Sequence, residues 1–348
     1  MFLDGQRVLV TGGTGSLGQT VVRRLLSGEL GRPSRVVVFS RDEAKQHYMR
    51  LSYLHREAAT DEVIYRNSQE LLSFRIGDMR DFPSVVEAVR ESDVIIHSAA
   101  LKQVPTCEYF PAQAVQTNIL GAINLVRAIR DHGAPAKVVV GVSTDKACKP
   151  INVMGMTKAL MERTLVEANL GQQATRFACV RYGNVIASRG SVVPLFLDQI
   201  ARGGPVTITL KEMTRFLLTL DRAVDTVFMA LQHAQPGETF VPRVPAARVL
   251  DIAEALIDSR EIPIVYTGIR PGEKIHEIMV SEEECHRTVE RFGYYVIRPM
   301  LPELRPGSGD APALTEEYSS AHVTLDRPAL RDLLKQYVSD NPSVSAAV

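Results

Sequence analysis

Short apolar, β-branched runs punctuate the first half of the chain, at Arg7–Val10, Arg35–Phe39, Leu72–Ile76, Val94–His97, Lys137–Val142 and Phe177–Val180. Their length and lack of helical period predict buried parallel strands. Stretches with helical spacing lie between them, at Thr20–Leu26, Glu43–Glu57, Val85–Arg90, Ala114–Asp131 and Met154–Asn169. The alternation predicts an α/β fold: a doubly wound, Rossmann-like parallel sheet whose ligand lies at the carboxyl ends of the strands. Beyond about Asn184 the pattern turns irregular and richer in Gly, Pro and Arg. A first domain is therefore expected over residues 1–184, with some later segments returning to it. Residues 185–304 are expected to form a smaller C-terminal domain over the ligand. Residues 305–348 read as a Pro/Gly/Ala-rich linker, Arg305–Leu314, followed by a tail with one amphipathic segment, Leu325–Tyr337.

Composition supports a packed core: 45% of the 348 residues are hydrophobic and 23% charged, which excludes a disordered or collagen-like chain. Forty Lys and Arg balance forty Asp and Glu, so no basic excess points to nucleic acid, and a small-molecule substrate is favoured. No run approaches the ~20 apolar residues that span a bilayer, and Met1-Phe2-Leu3-Asp4 begins no basic leader pattern. A cytoplasmic protein without membrane association is expected. Cys107, Cys148, Cys179 and Cys285 lie far apart with no C-x-x-C pair, which fits reduced thiols, and no metal is expected.

Candidate chemistry begins directly after the first strand, at Thr11-Gly12-Gly13-Thr14-Gly15-Ser16-Leu17-Gly18. Glycines spaced at Gly12, Gly15 and Gly18 let a backbone approach a pyrophosphate on a helix N-terminus, where free N–H groups and the dipole favour anions. An ordinary tight turn is the alternative; the position at strand one, ahead of further βα units, favours a dinucleotide. The first domain is thus expected to bind it through Gly12, Thr14, Gly15, Ser16, Leu17 and Gly18. After strand two, Ser40-Arg41-Asp42-Glu43-Ala44-Lys45 places Arg41 where an acid would hold a free ribose 2′-hydroxyl, with Lys45 one turn later. That favours NADP over NAD, although Asp42 could still serve the hydroxyl. Asp78 and Met79 after strand three suit an adenine contact, and Ala99 and Ala100 after strand four are small enough for close backbone approach.

Strand five ends in Ser143-Thr144-Asp145-Lys146, and the next helix carries Met154-Gly155-Met156-Thr157-Lys158. Acid, base and hydroxyl groups thus gather at a strand C-terminus, with Met154 and Lys158 on one helix face. A solvated turn would be the plain reading without the nucleotide motif.

At these residues the chain resembles the extended short-chain dehydrogenase/reductase superfamily, whose members carry Ser/Thr after strand five and Tyr-x-x-x-Lys on the next helix. More narrowly, Ser143-Thr144-Asp145-Lys146-Ala147 with Pro150-Ile151-Asn152 resembles the C5-inverting UDP-N-acetylglucosamine 4,6-dehydratases of bacterial polysaccharide biosynthesis. The resemblance runs from about Met1 to Glu284. It includes Ala99-Ala100-Leu101-Lys102-Gln103-Val104-Pro105, Arg181-Tyr182-Gly183-Asn184-Val185, Ser188-Arg189-Gly190-Ser191-Val192, Met213-Thr214-Arg215-Phe216 and Arg270-Pro271-Gly272-Glu273-Lys274. Met154 replaces the usual Tyr, as in a capsule-biosynthesis branch leading towards N-acetyl-L-fucosamine.

The resemblance implies a lyase: C4 oxidation to the nicotinamide, loss of water across C5 and C6, and hydride return to C6. Asp145 becomes the candidate acid for the 6-hydroxyl and Lys146 the C5 base, provided its surroundings depress its pKa. Thr144, Met154 and Lys158 complete the catalytic set, with Lys158 also at the cofactor. Methionine has no exchangeable proton, so the C4 proton is expected to pass to Lys146 or Asp145 acting twice, with Lys158 as the alternative. A UDP-sugar would meet Lys102, Asn184, Ser191, Val192, Thr214, Arg215, Arg270 and Glu273, the arginines pairing with pyrophosphate. His276, His286 and the Glu282-Glu283-Glu284 run read as a helix face. A homo-oligomer is expected. A UDP-hexose 4-epimerase and a non-catalytic nucleotide-binding scaffold are the competing readings; Asp145-Lys146 speaks against the first, and retained Lys158 against the second.

Overall fold

The computed structural model describes residues 1–54, 71–171, 174–186, 192–305 and 311–340. In chain order, the first half builds β1 (Arg7–Thr11), α1 (Ser16–Leu26), β2 (Arg35–Ser40), α2 (Glu43–Leu54), β3 (Leu72–Ile76), α3 (Phe82–Val89), β4 (Val94–His97) and α4 (Val104–Tyr109). It continues through α5 (Pro111–Ala114), a π-helical turn Val115–Leu120, α6 (Gly121–Asp131), β5 (Val138–Val142), a 3-10 turn Asp145–Ala147, α7 (Val153–Glu167) and β6 (Arg176–Val180). The strands match the sequence expectation to within one residue at each end.

Beyond β6 follow α8 (Val192–Ala201), β7 (Val206–Ile208), β8 (Thr214–Phe216), α9 (Leu220–His233), β9 (Thr239–Pro242), β10 (Ala246–Arg248), α10 (Val249–Ile257) and β11 (Ile264–Tyr266). The chain closes with β12 (Ile278–Val280), α11 (Glu282–Cys285), β13 (Thr288–Arg291), β14 (Tyr294–Ile297), β15 (Tyr318–Ser319) and α12 (Arg327–Asp340).

A nine-stranded sheet runs in the order β13-β14-β9-β6-β5-β4-β1-β2-β3. Its strands from β3 through β9 are parallel, and β14 and β13 add an antiparallel edge. Alternation along the strands divides the core. Val8, Val10, Val94, Ile96, Val138 and Val140 face one apolar layer with α1 and α9, whereas Leu9, Ile95, Val139 and Phe177 face the other, with α3, α6 and α7. Strand order reverses between β1 and β4, the crevice where doubly wound folds take their ligands.

The second lobe has its own core, in which Val193, Phe196 and Leu197 of α8 pack with Ile252, Ala253 and Leu256 of α10. Leu330 and Leu334 of α12 join it, and β15 pairs with β12. Of the stretch expected to be linker and tail, α12 is thus built into this lobe, whereas Tyr318 of β15 packs with Met279 and Val280 of β12 in the first apolar layer of the large sheet. Among the described residues no helix is long and apolar enough to cross a membrane.

Candidate active site

The glycine-rich turn closes against the loop after β4. Gly12 has φ +68, and a Cβ there would lie 2.8 Å from the Ala99 backbone, so a side chain at this position would push the two loops apart. Ser98 Oγ donates to Thr11 O at 2.7 Å, and Thr14 Oγ1 lies 2.8 Å from Ser40 Oγ, which ties the turn to the end of β2. Gly15 caps α1 without a side-chain hydrogen bond, leaving the opening N–H groups of an eleven-residue helix for an anion.

Arg41 and Lys45 sit on the same rim. Each has a carboxylate neighbour: Arg41 Nη1 is 3.8 Å from Asp78 Oδ2, and Lys45 Nζ is 2.5 Å from Asp42 Oδ2. Asp78 is also gripped by Arg80 at 2.6 Å. Met79 is buried, and its carbonyl accepts from Asn124 Nδ2 at 2.9 Å.

At the end of β5 the chain turns sharply because Thr144 caps the 3-10 turn that carries Asp145 and Lys146. Asp145 is completely buried; its Oδ1 accepts from Thr144 Oγ1 at 2.8 Å and from Lys146 Nζ at 3.1 Å. Lys146 Nζ also meets Asn184 Oδ1 at 3.1 Å and Glu277 Oε1 at 3.2 Å. Asp145 Oδ2 and Glu277 Oε2 are buried with no hydrogen-bond partner among the described residues. Gly155 lets α7 approach this turn, since a Cβ there would collide with the Lys146 carbonyl.

The electrostatics correct one expectation. Burial raises the Asp145 pKa, and Glu277 raises it further against the pull of Lys146, which suits an acid. For Lys146, burial alone would lower the pKa, but Asp145 and Glu277 together raise it. The depressed lysine on which the sequence reading relied is therefore found elsewhere. Lys158 is 5% exposed; its Nζ lies 2.9 Å from Met161 Sδ, and burial brings its pKa down to about 8. A single pairing with sulfur replaces little of the hydration an ammonium loses.

Met154 is buried in a small apolar cluster with Cys107 and Ala114, flanked by Leu101 and Val104. Its thioether thus packs α7 against α4.

Of the expected substrate contacts, Asn184 belongs to the Lys146 cluster. Arg270 is exposed at the rim, 4.0 Å from Glu273, whose Oε2 has no hydrogen-bond partner among the described residues. Lys102 is exposed on the loop after β4, and Val192 opens α8 half-buried. Ser191 lies outside the described residues, as do Ser188, Arg189 and Gly190. The Thr214 hydroxyl is engaged by His276 Nδ1 at 2.8 Å and Ser320 Oγ at 2.6 Å. Arg215 is buried, bonded to the carbonyls of Thr214 and Ile275 and 3.8 Å from Glu277; these contacts tie β8 to the segment before β12.

The profile of the polysaccharide biosynthesis protein family matches residues 8–299. The chain belongs to this family. It is 43% identical over 302 residues to a UDP-glucose 4-epimerase of Rickettsia akari, covering 85% of this chain and 84% of that one. To the inverting UDP-N-acetylglucosamine 4,6-dehydratase of Campylobacter jejuni it is 39% identical over 301 residues, covering 86% and 84%. The X-ray structure of Pen from Bacillus thuringiensis superposes with a TM-score of 0.84 at 32% identity, covering 97% of this chain and 100% of that one. The Rossmann-like sheet and these likenesses make the protein an extended short-chain dehydrogenase/reductase of the polysaccharide biosynthesis family.

In this family member, sequence reasoning passed over three residues. Glu277 escaped because a glutamate after a histidine in an irregular stretch carries no periodic signal. Asn118 is fully buried in the π-helical turn; it accepts from Leu101 N at 2.8 Å and donates to Leu101 O at 3.0 Å and to Thr157 Oγ1 at 2.9 Å. It thereby locks the loop after β4 to the helix that carries Lys158. A polar residue on the apolar face of the Ala114–Asp131 stretch was the available clue. His97 ends β4 with Nδ1 2.9 Å from Thr11 Oγ1 and Nε2 without a partner. Burial, assisted by Lys158, lowers its pKa to about 3, so it is neutral at physiological pH. The Glu282-Glu283-Glu284 run also divides: Glu284 is buried on Arg181 at 2.7 Å, whereas Glu282 remains exposed.

Proposed function

We propose that the chain is a C5-inverting nucleotide-sugar 4,6-dehydratase that acts on UDP-N-acetylglucosamine or a close UDP-hexose, with NADP as its cofactor. The observation that carries this reading is the pairing of buried Asp145 with half-buried Lys146 at the carboxyl end of β5, with Asp145 inclined to hold a proton. Elimination across C5 and C6 needs one acid and one base beside each other, whereas epimerisation at C4 needs neither at those carbons.

The glycine turn with its uncapped α1 fits a pyrophosphate, and Arg41 with Lys45 fits a 2′-phosphate. NADP held there would supply the hydride acceptor for C4 and the hydride donor for C6. Lys158, the lysine with the lowered pKa, takes the C4 hydroxyl proton. The resulting 4-ketone acidifies C5. Lys146 then takes the C5 proton, and Asp145 protonates the departing 6-hydroxyl. Arg270 and Glu273 hold the diphosphate and ribose of the UDP moiety.

A UDP-hexose 4-epimerase is the second reading, favoured by the identity to the Rickettsia protein. Mass spectrometry after incubation with UDP-N-acetylglucosamine separates the two: loss of one water supports dehydration, and an isobaric product with a changed NMR spectrum supports epimerisation. For the cofactor, Arg41→Ala should weaken NADP binding by about 1.5–3 kcal/mol, roughly ten- to a hundredfold. Equal affinity of the unaltered protein for NAD and NADP would remove the NADP assignment.

A further inference from the structure

Between β11 and β12 the chain has no regular structure from Arg270 to Glu277, yet it is pinned along its length. Gly272 O accepts from Asn152 Nδ2 at 2.7 Å, and Lys274 Nζ donates to Cys148 O at 2.5 Å. Ile275 O accepts from Thr214 N at 3.0 Å and from Arg215 Nη1 at 3.1 Å. Glu277 N donates to Ser320 Oγ at 2.9 Å, and Ser320 N donates back to Glu277 O at 2.8 Å. Two of these bonds grip Cys148 and Asn152, the residues that follow the catalytic turn. The segment therefore strings the UDP-facing Arg270 and Glu273 to the turn that carries Asp145 and Lys146.

Its last residue enters the cluster itself. The Glu277 side chain is 2% exposed, with Oε1 on Lys146 Nζ at 3.2 Å and 3.8 Å from Arg215 Nε. A buried carboxylate with one oxygen unpartnered is costly unless nearby cations hold it. We propose that Glu277 is a positioning residue for the elimination: it holds Lys146 beside Asp145 and governs the charge which that lysine carries. This rests on the dehydratase reading above.

The charged groups around Lys146 come from each neighbouring segment. Asp145 lies on its own turn, Arg215 on β8, and Lys274 and Glu277 on the pinned segment. Burial alone would raise the Glu277 pKa, but Lys146, Arg215 and Lys274 lower it. Glu277 thus stays anionic and leaves the acid role to Asp145. One proton passing from Lys146 Nζ to Asp145, across 3.1 Å, creates the neutral base and the protonated acid together. Lys146 then takes the C5 proton, and the C5–H electron pair forms the C5=C6 bond. The C6–O bond breaks, and the hydroxyl leaves as water with the proton from Asp145. Ammonium and carboxylate are restored, and Glu277 is unchanged.

The test follows solvent-deuterium exchange at C5 of the 4-keto-6-deoxy product, which bypasses C4 oxidation, across pH. Glu277→Gln removes a negative charge from the cluster, so both limbs of the bell should move to lower pH by about one unit or more. Glu277→Asp, which keeps the charge but withdraws it, should move them the same way by less, and it carries the test alone if the glutamine variant does not fold. A side chain that mattered only for packing would lower the bell without moving it. Unmoved limbs in a folded variant overturn the inference. If the unaltered protein forms no 4-keto-6-deoxy product from any UDP-hexose, it is the dehydratase reading that fails.

Discussion

Buried Arg181 between Glu162 and Glu284, and half-buried Lys146 between Asp145 and Glu277, are both cations flanked by two carboxylates, and they stand at the ends of adjacent strands β6 and β5. Around Arg181 every side is closed. Its Nε and Nη2 reach Glu162 at 3.1 and 2.7 Å, Nη1 reaches Glu284 at 2.7 Å, and Nη1 also donates to Met279 O at 2.8 Å. The guanidinium side chain is 4% exposed and does not titrate in the working range. Around Lys146 the cluster is left open: the lysine is 20% exposed, and Asp145 Oδ2 and Glu277 Oε2 lack partners among the described residues. A saturated fork of fixed charge fastens α7, β6 and α11 together. An unsaturated, titratable cluster of the same formula can move protons. Charge count therefore says little about role; donor geometry and residual hydrogen-bonding capacity decide it.

The comparison breaks most readily at Arg181. Arg181→Met strands two buried carboxylates, and the expected loss is about 3–5 kcal/mol in chemical denaturation. Lys146→Met should cost less stability, because Asp145 already inclines to a proton, but should slow C5 exchange by about 10²–10⁴-fold. Equal stability losses in the two variants would erase the distinction.

Acid sharpens the same contrast. Burial alone would raise the Glu284 pKa, but Arg181 draws it from 4.5 down to about 2, so its contribution is present above pH 4.5 and lost as pH falls towards 2. That shift corresponds to about 3 kcal/mol. Glu284→Gln should remove this part of the acid dependence in thermal melts taken from about pH 5 down to about pH 2.

The smallest expected effect separates the two lysines. Lys158→Met should slow formation of the reduced cofactor by about 10²-fold in a single turnover with C4-deuterated substrate. In the unaltered protein that rate should rise with pH through about 8 as the amine loses its proton. Unchanged hydride transfer in Lys158→Met, with loss in Lys146→Met, would return the C4 proton to Lys146.

The parallel strands, the helices between them, the glycine turn and the Asp145-Lys146 step were all legible in the sequence, because each is a local pattern of period, turn chemistry or adjacency. Strand order at the β1/β4 crevice came from the structure, since the same alternation fits more than one doubly wound order. Only the tertiary structure decided that Glu277 faces Lys146, that Asn118 locks the loop after β4, and that Glu284 is buried while Glu282 is not. It also put the raised pKa on Lys146 and the lowered one on Lys158. Lys146 and Lys158 carry the same side chain; Asp145 beside Lys146 already favours its ammonium, but nothing near Lys158 in the sequence says that it is stripped of its water. That choice belongs to groups brought from distant segments and to the depth of burial, since desolvation and opposing charge act through space and not along the chain.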